Sequence, residues 1–378
     1  MVEQDRCHDI NAWEPRRLGD VAEIGTGSHN TQDGHLAGAY PFFIRSDQKL
    51  FLDDFDYDEE AILIPGDGRI GQIYHYMNGK YALHQRVYRI KVDSSVDTRF
   101  ILYLMESRFR KHALAMNSQG TVPSLRKPIF TEWGINLPRD RDEQVRIGML
   151  FSQLDNLIAA EKRKLDLLQK KKTALLRQIF EQKLRFKGYN NPWEPRRLRE
   201  IATVVGGGTP DTNNPLYWNG DINWFTPAEI GSNAYASKSE RRITEEGLEH
   251  SSAKLLPAGR TILFTSRASI GLTAILTVDA CTNQGFQSLV VSDRTDVFFL
   301  FGLCNQIKTQ AIRNAAGSTF IEISGKQLAK IPLQIPSLDE QRRIGKVVRT
   351  MDSLIAVATR KIDLLTLKKK ALLHQMFV

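Results

Sequence analysis

The sequence has few cysteines and no long apolar run. Its three cysteines, Cys7, Cys281 and Cys304, lie far apart and show neither the spacing of a disulfide framework nor that of a metal site. We therefore predict structural cysteines in a reducing compartment. No apolar run approaches the roughly 20 residues that span a bilayer, and the polar start MVEQDRCHDI is unlike a signal peptide. The chain is expected to be cytoplasmic.

Motifs for catalysis are also missing. Gly325 and Lys326 lack the upstream glycine and the following Ser or Thr of a phosphate-binding loop. The stretches NPW at 191–193 and NPL at 214–216 lack the second proline of an amino-methyltransferase signature. The eight histidines show no ligand spacing, and the acidic stretch 53–60 resembles a solvated loop more than the metal centre of a nuclease. We predict no catalytic residue and no bound metal or cofactor.

The chain contains an internal repeat. The hexapeptide WEPRRL occurs at Trp13–Leu18 and again at Trp193–Leu198, and residues 142–180 align without gaps on residues 339–377 with 22 of 39 positions identical. The separation grows from 180 to 197 residues, so the centre of the second copy is 17 residues longer. Between these edges GDGRIGQ aligns with SRASIGL, and LHQRVYRI with TNQGFQSLV. Retained edges and divergent centres predict one mechanical role and two different recognition specificities.

The positive charge is concentrated on the repeated segments. The formal net charge is +9, yet residues 13–141 are neutral and residues 193–338 carry only +1. Residues 142–180 and 339–377 carry +3 and +5. The near-zero net charge of the two centres does not by itself indicate nucleic-acid binding. If the centres bind nucleic acid, they do so through local positive patches.

The two repeated segments are predicted to be long helices. Apolar residues recur at 3–4 spacing over about five heptads, which is the coiled-coil pattern. Lys172 and Lys369 interrupt this pattern at equivalent places, where a long side chain can extend to solvent. The predicted seam comprises Ile147, Leu154, Leu157, Leu168 and Leu175 in the first helix and Ile344, Met351, Leu354, Leu365 and Leu372 in the second, with Leu150, Ile179, Val347 and Met376 beside them.

Two arrangements of these helices are open. Each can pack on its own domain as an amphipathic helix, or the two can bury their apolar stripes against each other. The short connection from Phe180 to Trp193 contains turn-forming Gly188, Asn190, Asn191 and Pro192, so paired helices would run antiparallel and hold the domains at opposite ends. At 1.5 Å per residue, 39 residues give a rod of about 58 Å.

The divergent centres mix short strands with turns and the helices expected at 98–116 and 296–315. The aromatic group Tyr217, Trp218, Trp224 and Phe225 is expected in a core. We predict an α+β fold with two globular domains that contain curved β-sheets, two long antiparallel coiled-coil helices and an internal two-fold repeat. The predicted boundaries are 1–141 for the first domain, 142–182 for the first helix, 183–192 for the connector, 193–338 for the second domain and 339–378 for the second helix.

Several polar residues beside turns have the chemistry to read base edges. Arg suits guanine, Asn and Gln suit adenine, and Thr suits the thymine methyl group. Each residue alone is more typical of an ordinary surface or strand end, but the candidates recur at comparable places in the two copies. They are Arg45, Arg69, His84, Gln85 and Arg86 in the first copy and Thr226, Arg267, Asn283 and Gln284 in the second.

The stretches WEPRRLREIATVVGGGTPDTNNPLYWNGDINWFTPAEI, SSAKLLPAGRTILFTSRASIG, TNQGFQSLV and IPLQIPSLDEQRRIGKVV resemble the DNA-specificity subunit of type I restriction-modification systems. The resemblance covers essentially the whole chain, although HNTQDGHLAGAYPFF departs from it. It implies a non-catalytic subunit in which each domain, a target recognition domain, reads one half of a split double-stranded DNA site. Because the two centres differ, we predict that the site is asymmetric. The helices would set the gap and dock two adenine methyltransferase subunits, and through them restriction subunits. S-adenosylmethionine, Mg and ATP would belong to those partners.

Two rival functions remain open. A single-chain restriction or modification enzyme would need a catalytic motif of its own. A non-DNA coiled-coil scaffold presenting two protein-binding domains would also account for the repeat and the neutral centres. Binding to random DNA duplex at low and moderate salt distinguishes the scaffold from the DNA reader. The affinity of a DNA-binding protein falls steeply with salt because it contacts phosphates, and a protein-binding scaffold would not respond in this way.

Overall fold

The computed structural model describes residues 13–46, 48–117, 123–231, 233–315 and 321–377. The chain forms two compact units, of which unit 1 comprises Met1–Glu161 with Lys361–Val378, and unit 2 comprises Lys162–Arg360. In the part of the chain that the structure describes, no helix combines the length and apolarity needed to cross a membrane. Cys7 lies outside the described residues.

Unit 1 is built on a six-stranded sheet. The second half of its central strand, Ala61–Ile64, is continuously apolar and fully buried, as expected for a strand covered on both faces. The strands are β1 (Glu14–Arg17), β2 (Ala22–Thr26), β3 (Tyr40–Phe43), β4 (Lys49–Leu52), β5 (Tyr57–Pro65), β6 (His75–Leu83), β7 (Val87–Val92) and β8 (Gly134–Leu137). The sheet order is β2-β7-β5-β6-β3-β4, in which β3 and β6 are parallel and the other neighbouring strands antiparallel, and β1 pairs with β8 in a separate ribbon.

The helices of unit 1 pack on this sheet. Phe100, Ile101 and Phe109, in a helical stretch that the sequence predicted, lie in the same apolar core as strand residue Ile90. The helices are α1 (Leu18–Val21), α2 (Thr98–Leu104), a π-helical turn (Met105–Phe109), α3 (Arg110–Met116), α4 (Lys127–Thr131) and the long α5 (Arg141–Phe180), with a 3₁₀ turn at Thr31–Asp33.

Unit 2 repeats this plan with a divided sheet. The five-stranded part has the order β10-β17-β14-β15-β12 and the three-stranded part β13-β11-β16, while β9 pairs with β18. These strands are β9 (Glu194–Arg197), β10 (Ala202–Gly206), β11 (Trp218–Phe225), β12 (Tyr235–Ala236), β13 (Arg241–Ile243), β14 (Thr261–Phe264), β15 (Thr273–Leu276), β16 (Ala280–Thr282), β17 (Gln287–Val291) and β18 (Pro332–Ile335). The helices are α6 (Glu245–Glu249), α7 (Val297–Asn314), α8 (Gly325–Leu328) and the long α9 (Leu338–Met376), with 3₁₀ turns at Leu198–Glu200, Pro215–Tyr217 and Pro227–Glu229.

The repeated hexapeptide joins each domain to the end of a long helix. Its Glu-Pro-Arg-Arg residues form β1 and β9, and its final leucine is fully buried in both units. In unit 1 the ring of Trp13 lies 5.4 Å from Phe100 and 6.1 Å from Phe377. In unit 2 the ring of Trp193 lies 6.0 Å from Phe299 and 6.3 Å from Phe180. Aromatic contacts of this kind stabilise a core beyond the burial of area alone.

Each long helix also begins against its own domain. In unit 1 the carboxylate of Asp97 caps α2. The backbone N–H of Asp97 donates to Oε1 of Gln144, in the first turns of α5, at 3.0 Å. A Cβ on Gly148 would lie 2.6 Å from the same carboxylate, so only glycine permits this close approach. Unit 2 repeats the arrangement with Asp296, whose N–H donates to Gln341 Oε1 at 3.1 Å, and with Gly345 in the place of Gly148.

Within each unit the two helices run antiparallel. In unit 1 Glu161 pairs with Lys361 at 2.5 Å, and Asp155, two turns earlier on α5, pairs with Lys369, two turns later on α9. In unit 2 Lys172 pairs with Asp352 at 2.5 Å. Gly302 lies near both the Phe180 ring and Val348. From Lys172 to Phe180 the residue numbers on α5 increase, while those of the neighbouring α9 residues decrease from Asp352 to Val348, so the helices are antiparallel. Both arrangements left open by the sequence are therefore present. Each helix packs on its own domain at its start and on the other helix along its length, and its last turns join the core of the unit in which it ends.

The predicted seam has the correct spacing of apolar residues, but some of the residues assigned to it lie on the exposed side of the helix. Leu157 and Leu354 are 50 % and 47 % exposed, and Leu150 is 39 % exposed. The next residues carry the packing, since Phe151 and Ile158 are buried. The other predicted seam residues are buried in the case of Ile147, Leu154 and Ile344, and partly buried in the case of Leu168, Leu175, Met351, Leu365 and Leu372.

The two lysines that interrupt the predicted seam were expected to extend to solvent, but they do not. Lys172 binds the buried Asp352 in unit 2, and Lys369 binds Asp155 and Glu106 in unit 1 at 2.8 Å each. Both lysines are partly buried, and a partly buried lysine is tolerated in such a place because a carboxylate compensates its charge. The interruption seen in the sequence is thus a pair of internal ion pairs, one in each unit.

Two of the three cysteines and three of the four residues of the aromatic group are buried as expected, and Tyr217 is half-buried. Cys281 and Cys304 are buried free thiols, and burial raises the pKa of each to about 12. Trp218, Trp224 and Phe225 are buried. The extra residues of the second copy lie between Phe225 and Ser266, where β12 and α6 have no counterpart among the described residues of unit 1. Strand β13 corresponds to β4, because β13 pairs antiparallel with β11 as β4 does with β3.

Candidate nucleic-acid interface

One turn has the same backbone in both units. It follows β6 in unit 1 and β16 in unit 2, and it receives and donates the same hydrogen bonds. The first copy has His84 N–H to Phe43 O (3.0 Å), Gly66 N–H to Arg86 O (2.7 Å) and Leu125 N–H to Gly66 O (2.6 Å), and the second has Asn283 N–H to Phe225 O (3.1 Å), Ser266 N–H to Gly285 O (2.8 Å) and Ile323 N–H to Ser266 O (2.9 Å). The sequence alignment of these centres therefore has a structural basis.

In unit 1 the structure brings most of the candidate readers together. Gln85 and Arg86 are exposed in the turn, which is held by the backbone of the loop that contains Arg69. Arg69 is exposed in that loop. Arg45, which follows β3, donates to Asp67 in the same loop at 3.3 Å. These residues form one polar edge of the unit.

The candidate readers of unit 2 lie around the equivalent turn. Gln284 is exposed at its tip, and Arg267 is half-buried in the adjoining loop. Thr226 precedes a 3₁₀ turn, and both its N–H and its hydroxyl donate to Glu229, at 2.7 and 2.8 Å. Its hydroxyl is therefore engaged within the unit. Ala268, which follows Arg267, has a positive φ of 60°, a conformation costly for a residue other than glycine. The equivalent residue of unit 1 is Gly68.

His84 and Asn283 support the turn and are poorly placed to read bases. His84 is 4 % exposed, and its Nδ1 accepts the N–H of Arg86 at 2.9 Å. Asn283 is half-buried, and its Oδ1 accepts the N–H of Gly285 at 2.8 Å. Two different side chains thus make the same bond to the residue two positions ahead. Burial and then the nearby Arg45 hold the pKa of His84 below its usual value.

We expect the support from His84 to weaken on acidification. A histidine with a lowered pKa in the folded state stabilises the fold fully above about pH 6.5, and this contribution is lost as the pH falls further. The variant His84→Asn copies the solution of unit 2 and should remove that part of the pH dependence. Urea unfolding at pH 7.5 and pH 5.0 would measure it, with His35→Asn, an exposed histidine, as control. Equal acid sensitivity in wild type and His84→Asn would contradict this role.

Two residues of this edge were missed by the sequence interpretation. Asn30 Oδ1 accepts from Gln85 Nε2 at 2.6 Å, and the Thr209 hydroxyl donates to Gln284 Oε1. Both follow the first strand of their sheet, in the stretches GTGSHN at 25–30 and GGGTPD at 206–211. A Cβ on Gly27 or Gly207 would lie 2.0 Å from a carbonyl oxygen, so glycine lets this loop approach the turn. The paired glycines were the available signal.

The acidic stretch 53–60 is only partly the solvated loop that was expected. Its second half belongs to β5, where the side chain of Glu59 is 14 % exposed. Glu59 pairs with Arg89 and, at 2.9 Å, with Lys91. Among the described residues no group of three His, Cys, Asp or Glu side chains is arranged to hold a metal ion.

A second candidate surface, the apolar stripe, comprises exposed apolar side chains of the long helices. In unit 1 it includes Leu150 and Leu157 of α5 and Leu364 of α9, which is 65 % exposed. In unit 2 it includes Leu354 and Val357 of α9, which is 67 % exposed, and Leu167 of α5, which is 63 % exposed. Leu157 and Leu354, like Leu167 and Leu364, occupy equivalent positions of the repeat. Exposed apolar patches of this kind mark interaction surfaces.

Comparison with known proteins places the chain. The family model described as the type I restriction modification DNA specificity domain matches residues 11–170 and 190–367. The chain is 37 % identical over 170 residues to the type I restriction enzyme MjaIX specificity subunit of Methanocaldococcus jannaschii, covering 43 % of this chain and 38 % of that relative. It is 32 % identical over 181 residues to the EcoR124I/EcoR124II specificity subunit of Escherichia coli, covering 46 % and 44 %. This chain thus spans less than half the length of these two relatives.

A further relative and a solved structure match over most of the chain. The EcoDI specificity subunit of Escherichia coli is 23 % identical over 375 residues, covering 92 % of this chain and 82 % of the relative. The crystal structure of the S subunit of a type I restriction-modification system from M. genitalium has a TM-score of 0.73 and 16 % identity, and covers 99 % and 98 % of the two chains. That structure shares the fold. The chain belongs to the type I restriction-modification DNA specificity family and carries two copies of its domain.

Proposed function

We propose that this chain is the non-catalytic DNA-recognition subunit of a type I restriction-modification complex, in which each domain reads one half of an asymmetric bipartite site. The observation that carries the proposal is the shared turn. One backbone is built twice, with Arg86 in the turn of one copy and Gly285 in the other, and with Asp67 in the adjoining loop of one copy and Arg267 in the other. Equal scaffolds with unlike side chains are what two different half-sites require.

The domain boundaries proposed for this role are those of the sequence repeat, with recognition domains at 1–141 and 193–338 and helices at 142–182 and 339–378. The helix pair would fix the gap between the half-sites. The names of the relatives, which are specificity subunits of restriction enzymes, support this assignment.

The apolar stripe supports docking of partners on the helices. We propose that two adenine methyltransferase subunits bind there, one on each equivalent set of leucines, and that restriction subunits join through them. S-adenosylmethionine, Mg and ATP would then be bound by those partners. The duplicated stripe supports a stoichiometry of two, because equivalent surfaces bind equivalent partners.

The test is methylation mapping with methyltransferase subunits present. A library of random duplexes should yield one asymmetric site of two short halves separated by a gap of fixed length. Arg267→Ala should relax sequence preference in one half and leave the other half unchanged. A perfect palindrome, or no sequence preference, would contradict the proposal. Affinity that is insensitive to salt would instead favour the protein-binding scaffold.

A further inference from the structure

Gln85 and Gln284 occupy the same position on the two polar edges. Each lies at the exposed tip of the shared turn, one residue after the side chain that supports it. The backbone N–H of Gln85 donates to His29 O at 2.9 Å, which fixes the tip against the loop after β2. The residues around the two glutamines differ, but the glutamine is present in both.

A second side chain orients each amide. Asn30 Oδ1 accepts from Gln85 Nε2 at 2.6 Å, and Asn30 is itself held by its backbone N–H, which donates to Asp33 Oδ2 at 2.7 Å. In unit 2 the Thr209 hydroxyl donates to Gln284 Oε1. Holding an exposed, flexible side chain in this way reduces the conformational entropy lost when it binds a ligand.

The remaining hydrogen-bonding capacity of each amide suits one base. A glutamine amide has two N–H donors and two acceptor lone pairs. The bond to Asn30 uses one donor of Gln85, and the bond to Thr209 uses one lone pair of Gln284. Each amide therefore keeps at least one donor and one acceptor, which is the pair that the N7 and N6 amino group of adenine bind in the major groove.

We propose that Gln85 and Gln284 each read one adenine, and that Asn30 and Thr209 are their positioning residues. The two half-sites would then share an adenine at the same place relative to their domains, while the unlike neighbours specify the other bases. This inference rests on the proposed function, because it requires that both edges bind DNA.

The experiment uses the complex with methyltransferase subunits and the mapped duplex. Each adenine of a half-site is replaced in turn by 7-deazaadenine, which lacks the N7 acceptor. We expect one adenine in each half to be sensitive, with about tenfold weaker binding. Gln284→Ala should bind the normal duplex about tenfold more weakly and lose all sensitivity to the analogue in one half only, and Gln85→Ala should do the same in the other half.

The positioning residues are tested by conservative pairs. Thr209→Val should lower the adenine preference of its half-site, and Thr209→Ser, which keeps the hydroxyl, should restore it. Gln169→Ala, at an exposed position of α5, is the matched control and should change nothing.

Three results would overturn the inference. The mapped half-sites could lack an adenine at an equivalent place, both glutamine variants could weaken binding equally for all sequences, or the analogue could act equally on wild type and variant. In each case a bipartite site would still support the proposed function. If no bipartite site were found, the proposed function would fail and this inference with it.

Discussion

The variant Leu157→Lys is expected to fold normally and to lose binding of the methyltransferase subunit that we propose for this surface. Leu157 is 50 % exposed in unit 1, so a lysine there faces solvent and costs the isolated subunit little. In an apolar interface the same charge must be desolvated, and residues at the centre of such interfaces contribute 2 kcal/mol or more. We expect at least about thirtyfold weaker association, measured by copurification and sedimentation of the complex.

The chain provides a matched control and a second site. Asn156→Lys adds the same charge at the adjacent exposed position, about 100° around the helix from Leu157, and should leave assembly intact. Leu354→Lys should remove the partner on the equivalent surface of unit 2. If Leu157→Lys unfolded the free subunit, the residue would be part of the core, and if it left assembly intact, the stripe would not be the docking surface.

Single substitutions in the ion pair of Lys172 and Asp352 are expected to destabilise unit 2 by about 3 kcal/mol, because removing one partner leaves an uncompensated charge in a largely buried place. Asp352 is 7 % exposed, and Lys172 is 23 % exposed. The double variant Lys172→Met with Asp352→Leu should regain most of the lost stability, since two apolar residues replace the pair. Urea unfolding followed by tryptophan fluorescence would give the three free energies of unfolding.

An exposed pair on the same helix serves as the control. Lys170 and Asp166 are 2.8 Å apart, with side chains 72 % and 56 % exposed, and Lys170→Met should change stability by no more than about 0.5 kcal/mol. Additive losses in the double variant at Lys172 and Asp352 would show that the pair does not act as a unit.

The phase of the helix seam shows where sequence reasoning reached its limit. Leu150 stands beside Phe151, and Leu157 beside Ile158, so both possible stripes are apolar along the start of α5. The heptad pattern gives the period, but two adjacent apolar residues satisfy it equally well. Only the packing of the helix shows that Phe151 and Ile158 face inward and that the leucines remain exposed.

The candidate readers show a similar limit. From residue chemistry alone, His84, Gln85, Asn283 and Gln284 were equally good candidates for reading base edges. The structure separates them, because His84 and Asn283 bond to the backbone of their turn while the glutamines are exposed. Asn30 and Thr209 were missed, since each lies more than 50 residues from the glutamine that it orients.

The sequence by itself determined the duplication, the two long helices, the α+β class and the family. These features are local or repeated, and helical period and motif order are legible along the chain. Only the tertiary structure decided which helix face is buried, that Lys172 and Lys369 meet carboxylates, and that residues 361–378 belong with the first domain's unit. Such pairings join residues some 180 to 260 positions apart, and their choice depends on shape and charge complementarity between surfaces that exist only after the chain has folded.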